Sequence, residues 1–128
     1  MSTTLLIIAD PSHPLAHHAL RYATAFLASH PVSELSIFFY GDGANTANAL
    51  RWQPADQPNL TQDWQQLANK HDLRLPVCVS TALARGVTDS NNASRHNLAS
   101  NNLADGFELV GLGEFATMLA SSNKTIQF

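Results

Sequence analysis

Thr4-Leu5-Leu6-Ile7-Ile8-Ala9 is apolar at every position after the first. A strand with one wet face alternates polar and apolar residues, whereas an unbroken apolar run marks a strand covered on both faces, as in a parallel sheet between helices. Asp10-Pro11-Ser12-His13-Pro14 ends the run. Beyond it Leu15, Ala19, Tyr22, Ala23 and Phe26 recur at steps of three and four, which predicts an amphipathic helix ending near Ser29 and stopped by His30-Pro31. A second buried strand at Leu35 to Tyr40 completes a β-α-β unit.

The same alternation continues along the chain. Gly41-Asp42-Gly43 supplies a turn into a short helical stretch, Ala44 to Leu50, and the segment Trp52 to Asn59, with Pro54 and Pro58, reads as a loop. Trp64, Leu67 and Ala68 mark a helix to about His71, followed by a third strand, Leu75-Pro76-Val77-Cys78-Val79. Ser80 or Thr81 is placed to cap a helix from Ala82 to Arg85, which Gly86 ends. Thr88 to Asn102, rich in Asn and Ser, predicts an exposed loop with one helical turn around Arg95. Phe107 to Val110, a helix from Glu114 to Ala120 and a closing strand Thr125 to Phe128 finish the chain. The expectation is one α/β domain over residues 1–128, with a mostly parallel five-stranded sheet between helices on both faces.

Composition narrows the function. The 128 residues suit a single core, and with 45% hydrophobic and 13% charged residues some apolar surface is expected to meet other subunits. A formal charge of -3 offers no basic stripe, which argues against direct nucleic-acid binding. The segment Met1 to Ala9 lacks a basic leader and is too short for a signal or a span, so a cytoplasmic protein is expected. His13 and His17 have the i, i+4 spacing of metal ligands, but Pro14 suits the first helical position and leaves His13 outside at the cap. Gly41-Asp42-Gly43 lacks the third glycine of a nucleotide fingerprint. Neither a metal nor a cofactor is expected.

Cys78 is the single cysteine, so the chain has no internal disulfide and no multi-cysteine zinc site. Flanked by Val77 and Val79, it reads either as a small apolar side chain in a buried strand or as a reactive thiol at a strand end. In doubly wound sheets, ligands gather beyond the carboxyl ends of strands where strand order reverses. Under the flavodoxin-like order 2-1-3-4-5 the third strand lies beside the first, and Cys78 faces that crevice with the loop Asp10 to Pro14. The following helix start favours a thiolate there, and Arg85, seven residues on, is a candidate to support it or to compensate a helix end. Asn48 is expected either to line the crevice or to support its turn. Trp52 and Trp64 are expected to pack, with Trp52 the better interface candidate.

Phe38-Phe39-Tyr40, Gly43-Ala44, Ala47-Asn48, Cys78-Val79, Ala82-Leu83 and Arg85-Gly86-Val87 together resemble the DsrE-like (DsrE/TusD) family of sulfur carriers. Leu98-Ala99-Ser100, Asn102-Leu103, Gly106-Phe107, Leu109, Gly111-Leu112-Gly113 and Gln127-Phe128 extend the likeness over nearly the whole chain. It departs at Pro11-Ser12-His13-Pro14-Leu15, where relatives tend to carry a Gly- and Tyr-containing turn. The resemblance implies a flavodoxin-like three-layer α/β/α fold and a sulfurtransferase whose catalytic cysteine, Cys78, holds sulfur as a persulfide. It further implies assembly with TusB-like and TusC-like subunits into a heterohexamer, a TusA-like donor, and a TusE-like acceptor that serves 2-thiolation of a tRNA wobble uridine. The alternatives are a DsrE-type subunit of dissimilatory sulfur oxidation and a non-catalytic structural subunit.

Overall fold

The computed structural model describes residues Ser2–Phe128; Met1, the first residue of the amino-terminal segment weighed above, lies outside them. Five strands, β1 (Thr3–Ile7), β2 (Leu35–Phe39), β3 (Leu75–Cys78), β4 (Phe107–Val110) and β5 (Lys124–Gln127), form one all-parallel sheet in the order β4-β3-β2-β1-β5. The helices are α1 (Pro14–Leu27), α2 (Leu60–His71), α3 (Val79–Ala84), α4 (Ser90–Arg95) and α5 (Leu112–Ser121), with a 3-10 segment over Gly41–Ala47. The five-stranded parallel α/β sheet is as expected, but its order is not 2-1-3-4-5. β3 lies beside β2 and β4, with β2 between it and β1.

Handedness explains where the helices go. Parallel crossovers are right-handed, so successive steps from β1 to β2, β3 and β4, all in one direction, lay their helices on one face. The chain then returns across the whole sheet to place β5 on the far side of β1. That reversal sends α5 alone to the opposite face. The core divides accordingly. Leu5, Ile7, Ile37, Phe39, Leu75, Val77 and Phe107 pack with Ala16, Ala19, Ala23, Trp64 and Leu67 on the α1/α2 side. The intervening strand residues Leu6, Phe38, Cys78 and Val110 pack with Phe115 and Met118 of α5. Strand side chains alternate between faces, so the unbroken apolar runs feed both clusters.

Local chemistry sets the element ends. Pro14 opens α1 and His13 Nδ1 accepts a hydrogen bond from the Leu15 amide at 3.1 Å, so His13 acts as a cap. The buried face of α1 is Ala16, Ala19, Ala23 and Leu27, turned slightly from the predicted stripe, so Leu15 is exposed. Asn59 caps α2 through its side chain, and Asp89 does the same for α4, which occupies the predicted turn around Arg95. The short helix predicted over Ala44–Leu50 is instead the 3-10 segment Gly41–Ala47, begun at Gly41 with a φ of 58°. Its path runs against β1: a Cβ on Gly43 would stand 2.1 Å from the Ile7 carbonyl oxygen. No side chain fits there.

The loop leaving β1 is held by Asp10. Its Oδ2 accepts hydrogen bonds from the Ser12 amide at 2.9 Å and from the Ser12 hydroxyl, and its Oδ1 accepts one from Asn45 Nδ2 at 2.8 Å. Burial by itself raises the Asp10 pKa, but the Ser12 and Asn45 hydrogen bonds and the Arg51 charge outweigh it and leave the pKa below its ordinary 3.8.

Three outcomes are expected from this architecture. Gly43→Ala should destabilise the fold by about 3 kcal/mol in denaturant titration, because a fixed backbone carbonyl blocks the methyl group. Gly113→Ala on α5, with open space around it, should instead gain roughly 0.5 kcal/mol. A depressed carboxyl pKa contributes stability that is complete above the unfolded value and lost as pH falls through the folded one. The melting-temperature deficit of Asp10→Asn should therefore be constant above about pH 5 and shrink at lower pH.

Candidate active site around Cys78

Cys78 ends β3, paired with Val110 of β4, and is the residue from which α3 starts. Val79, predicted as strand, is already helical, and α3 spans Val79–Ala84 where a helix over Ala82–Arg85 was expected. Neither Ser80 nor Thr81 caps it. Thr81 donates its hydroxyl back to the Cys78 carbonyl at 3.3 Å, so Cys78 itself stands at the cap position with extended backbone angles. The free amide end of the helix is thus one turn nearer to Cys78 than the sequence suggested.

The thiol points to the α5 face. It is 1% exposed and packs among Phe38, Leu6, Val110, Phe115 and Met118, with the Phe38 and Phe115 rings stacked at 4.8 Å. Every neighbour in this cluster is apolar.

The other predicted site residues lie elsewhere. Arg85 Nε donates to Asp42 Oδ1 at 3.0 Å and its Nη1 to the Thr81 carbonyl at 3.1 Å, which ties the end of α3 to the 3-10 segment. Asn48 supports a turn: its Oδ1 accepts from the Leu50 amide at 2.9 Å and from Asn102 Nδ2 at 3.0 Å. Asn102 is the hub the sequence reading missed. Its side chain also accepts from the Thr88 amide and donates to the Gly86 carbonyl, both at 2.9 Å, joining three loops at the carboxyl edge. Asn102-Leu103 belongs to the family likeness, but an Asn in an Asn- and Ser-rich stretch carries no pattern that would assign it this role.

The strand order also moves the crevice. The chain reverses direction between β1 and β5, and there a cavity of about 380 Å³ is lined by Ile8, Asp10, His13, Leu15, Asp42 and Phe128. Cys78, on β3, is not among its residues. The expected meeting of Cys78 with the Asp10–Pro14 loop does not occur, because β2 stands between their strands.

Among the described residues no group of three or more His, Cys, Asp and Glu side chains is arranged to hold a metal ion. Nor is any helix among them long and apolar enough to cross a membrane. Trp64 is fully buried against Phe39, edge to face at 5.5 Å, as expected of a packing residue. Trp52 and Leu50 stand 79% and 78% exposed on the loop after the 3-10 segment.

Comparison with known proteins agrees with this architecture. The family described as DsrE/DsrF-like matches residues 1–128. The "Sulfurtransferase TusD homolog" of Vibrio vulnificus (strain YJ016) is 41% identical over 114 residues, covering 88% of this chain and 86% of that protein. The "Sulfurtransferase TusD" of Pectobacterium atrosepticum is 40% identical over 130 residues, covering 100% of both. Among solved structures, the ychN protein from E. coli superposes with a TM-score of 0.76 at 20% identity over the full length of both chains, which shows a shared fold. A whole-chain family match joined to about 40% identity with TusD proteins leads to one conclusion: the chain belongs to the DsrE/DsrF-like family, among its TusD sulfurtransferases.

Proposed function

We propose that Cys78 carries sulfur as a persulfide between two partner proteins of a sulfur relay. The observation that carries this reading is chemical and simple. Sulfur transfer of this kind needs a thiol that can bond a second sulfur, and Cys78 is the only one in the chain.

The exchange conserves electrons. The Cys78 thiolate attacks the outer sulfur of a donor persulfide, the donor's S–S bond breaks, and the donor thiolate leaves. An acceptor thiolate then attacks the outer sulfur on Cys78, and the Cys78 thiolate leaves in turn. Neither oxidant nor reductant is consumed. Support of the thiolate by Arg85 belongs to the same proposal, and requires its guanidinium to exchange Asp42 for the sulfur.

The partners follow from the TusD likeness: a TusA-like donor, a TusE-like acceptor, and TusB-like and TusC-like subunits in a cytoplasmic heterohexamer that feeds 2-thiolation of tRNA wobble uridine. The net charge of -3 fits contact with protein carriers and not with the tRNA itself.

A second reading rests on the 1% exposure of Cys78, which suits a structural subunit whose cysteine only packs. Intact-mass measurement after incubation with a persulfidated TusA-like protein separates the two. Cys78 is expected to gain one sulfur atom, and Cys78→Ala, folded by its melting curve, to lose relay activity entirely. A wild-type chain that gains no sulfur, or a Cys78→Ala chain with full activity, leaves the structural reading standing.

A further inference from the structure

A sulfur atom on another protein cannot touch a thiol that is 1% exposed, so some part of its surroundings has to move. Most of that wall is fixed. Leu6, Phe38 and Val110 sit on strands whose ladders hold them, and Phe115 is stacked on the fully buried Phe38. Met118, 9% exposed, is different. It packs in the Cys78 cluster and also borders a cleft of about 260 Å³ on the same sheet face.

Cys78 does not itself line the cleft, but strand register puts the two on one sheet face, with Met118 common to both. Ser36 and Pro76 both line the cleft, and each stands two residues before a member of the thiol cluster, Phe38 on β2 and Cys78 on β3. Because side chains two apart on a strand share a face, the floor of the cleft and the floor beneath α5 belong to the same side of the sheet. Met118 stands at the border. Its unbranched thioether has more rotamer freedom than any other side chain in the cluster.

On the rim, Arg74 donates from Nε to Glu108 and from Nη2 to Glu114, both at 2.7 Å, which fastens the first turn of α5 to β4. Both carboxylates raise the guanidinium pKa, Glu114 more than Glu108. The clasp fixes the first turn of the helix.

We propose that this cleft is the path by which a partner's persulfide reaches Cys78, with Met118 as the side chain that swings aside to admit it. The proposal rests on the persulfide reading of Cys78. The occupant is the tip of a flexible segment bearing a cysteine persulfide, because a cleft of about 260 Å³ takes one side chain and its neighbours and not a folded surface.

The test uses the full chain and two probes. Iodoacetamide, followed by intact mass, reads access to Cys78; a persulfidated TusA-like protein reads sulfur uptake. Met118→Ala is expected to speed alkylation about tenfold, whereas Leu67→Ala, a comparable truncation in the α1/α2 core, should change it less than about twofold. Ser36→Phe, which fills the cleft from an intermediate position on β2, is expected to slow sulfur uptake about tenfold without lowering the melting temperature. Equal acceleration by Met118→Ala and Leu67→Ala would mean that the thiol is reached by global opening, and would overturn the proposal. So would unchanged uptake by Ser36→Phe. If wild-type protein takes up no sulfur at all, the persulfide reading fails, and the alkylation comparison still decides whether Met118 is the gate.

Discussion

The handedness of parallel crossovers is the constraint on which the structure turns. Three right-handed steps in one direction stack α1, α2 and α3 on a single face, and the one return step leaves α5 to cover the other. The resulting layers are unequal. The α1/α2 side has a deep core built on fully buried Trp64, Phe39 and small alanines that let α1 approach the sheet. On the α5 side the buried hydrophobic cluster is small, Phe38, Cys78 and Met118, with Leu6, Val110 and Phe115 partly buried around it. The thiol therefore lies where the protein is thinnest.

That placement reconciles burial with exchange chemistry. Regions with few buried apolar contacts open at lower free-energy cost than the main core. A thiol under a thin apolar layer is shielded from water and stray oxidants at rest, yet is separated from solvent by one helix turn. A cysteine facing the α1/α2 layer would need Trp64 and its neighbours to part before any partner could reach it.

Much of the fold was legible because burial leaves a direct imprint on composition. The apolar runs at Leu5–Ala9 and Leu35–Tyr40 located β1 and β2, and Pro14 with His13 located the start of α1. Strand order was not legible. β1, β2 and β3 each carry apolar residues on both faces, so nothing in Leu75–Val77 records whether β1 or β2 lies beside it. The error at the site followed from that one, since the crevice near Asp10 was assigned to Cys78 on the strength of an order the chain does not adopt. The start of α3 was missed for a different reason: Val79 is β-branched and reads as strand, but the chain turns at Cys78 and helix geometry prevails over local propensity. Met118 and Phe115 share a face of α5 at i, i+3 spacing, a signal present in the sequence whose target only the reversed crossover identifies.

The two tryptophans occupy opposite extremes of environment, one sealed against Phe39 and the other almost bare on the loop after the 3-10 segment. Indole emission shifts with the polarity around the ring, so the chain contains two optical reporters of separate events. Emission from Trp64 follows loss of the main core, while emission from Trp52 follows whatever comes to rest on that loop. A blue shift upon mixing with another protein, with the sheet intact, would therefore signal docking and not folding.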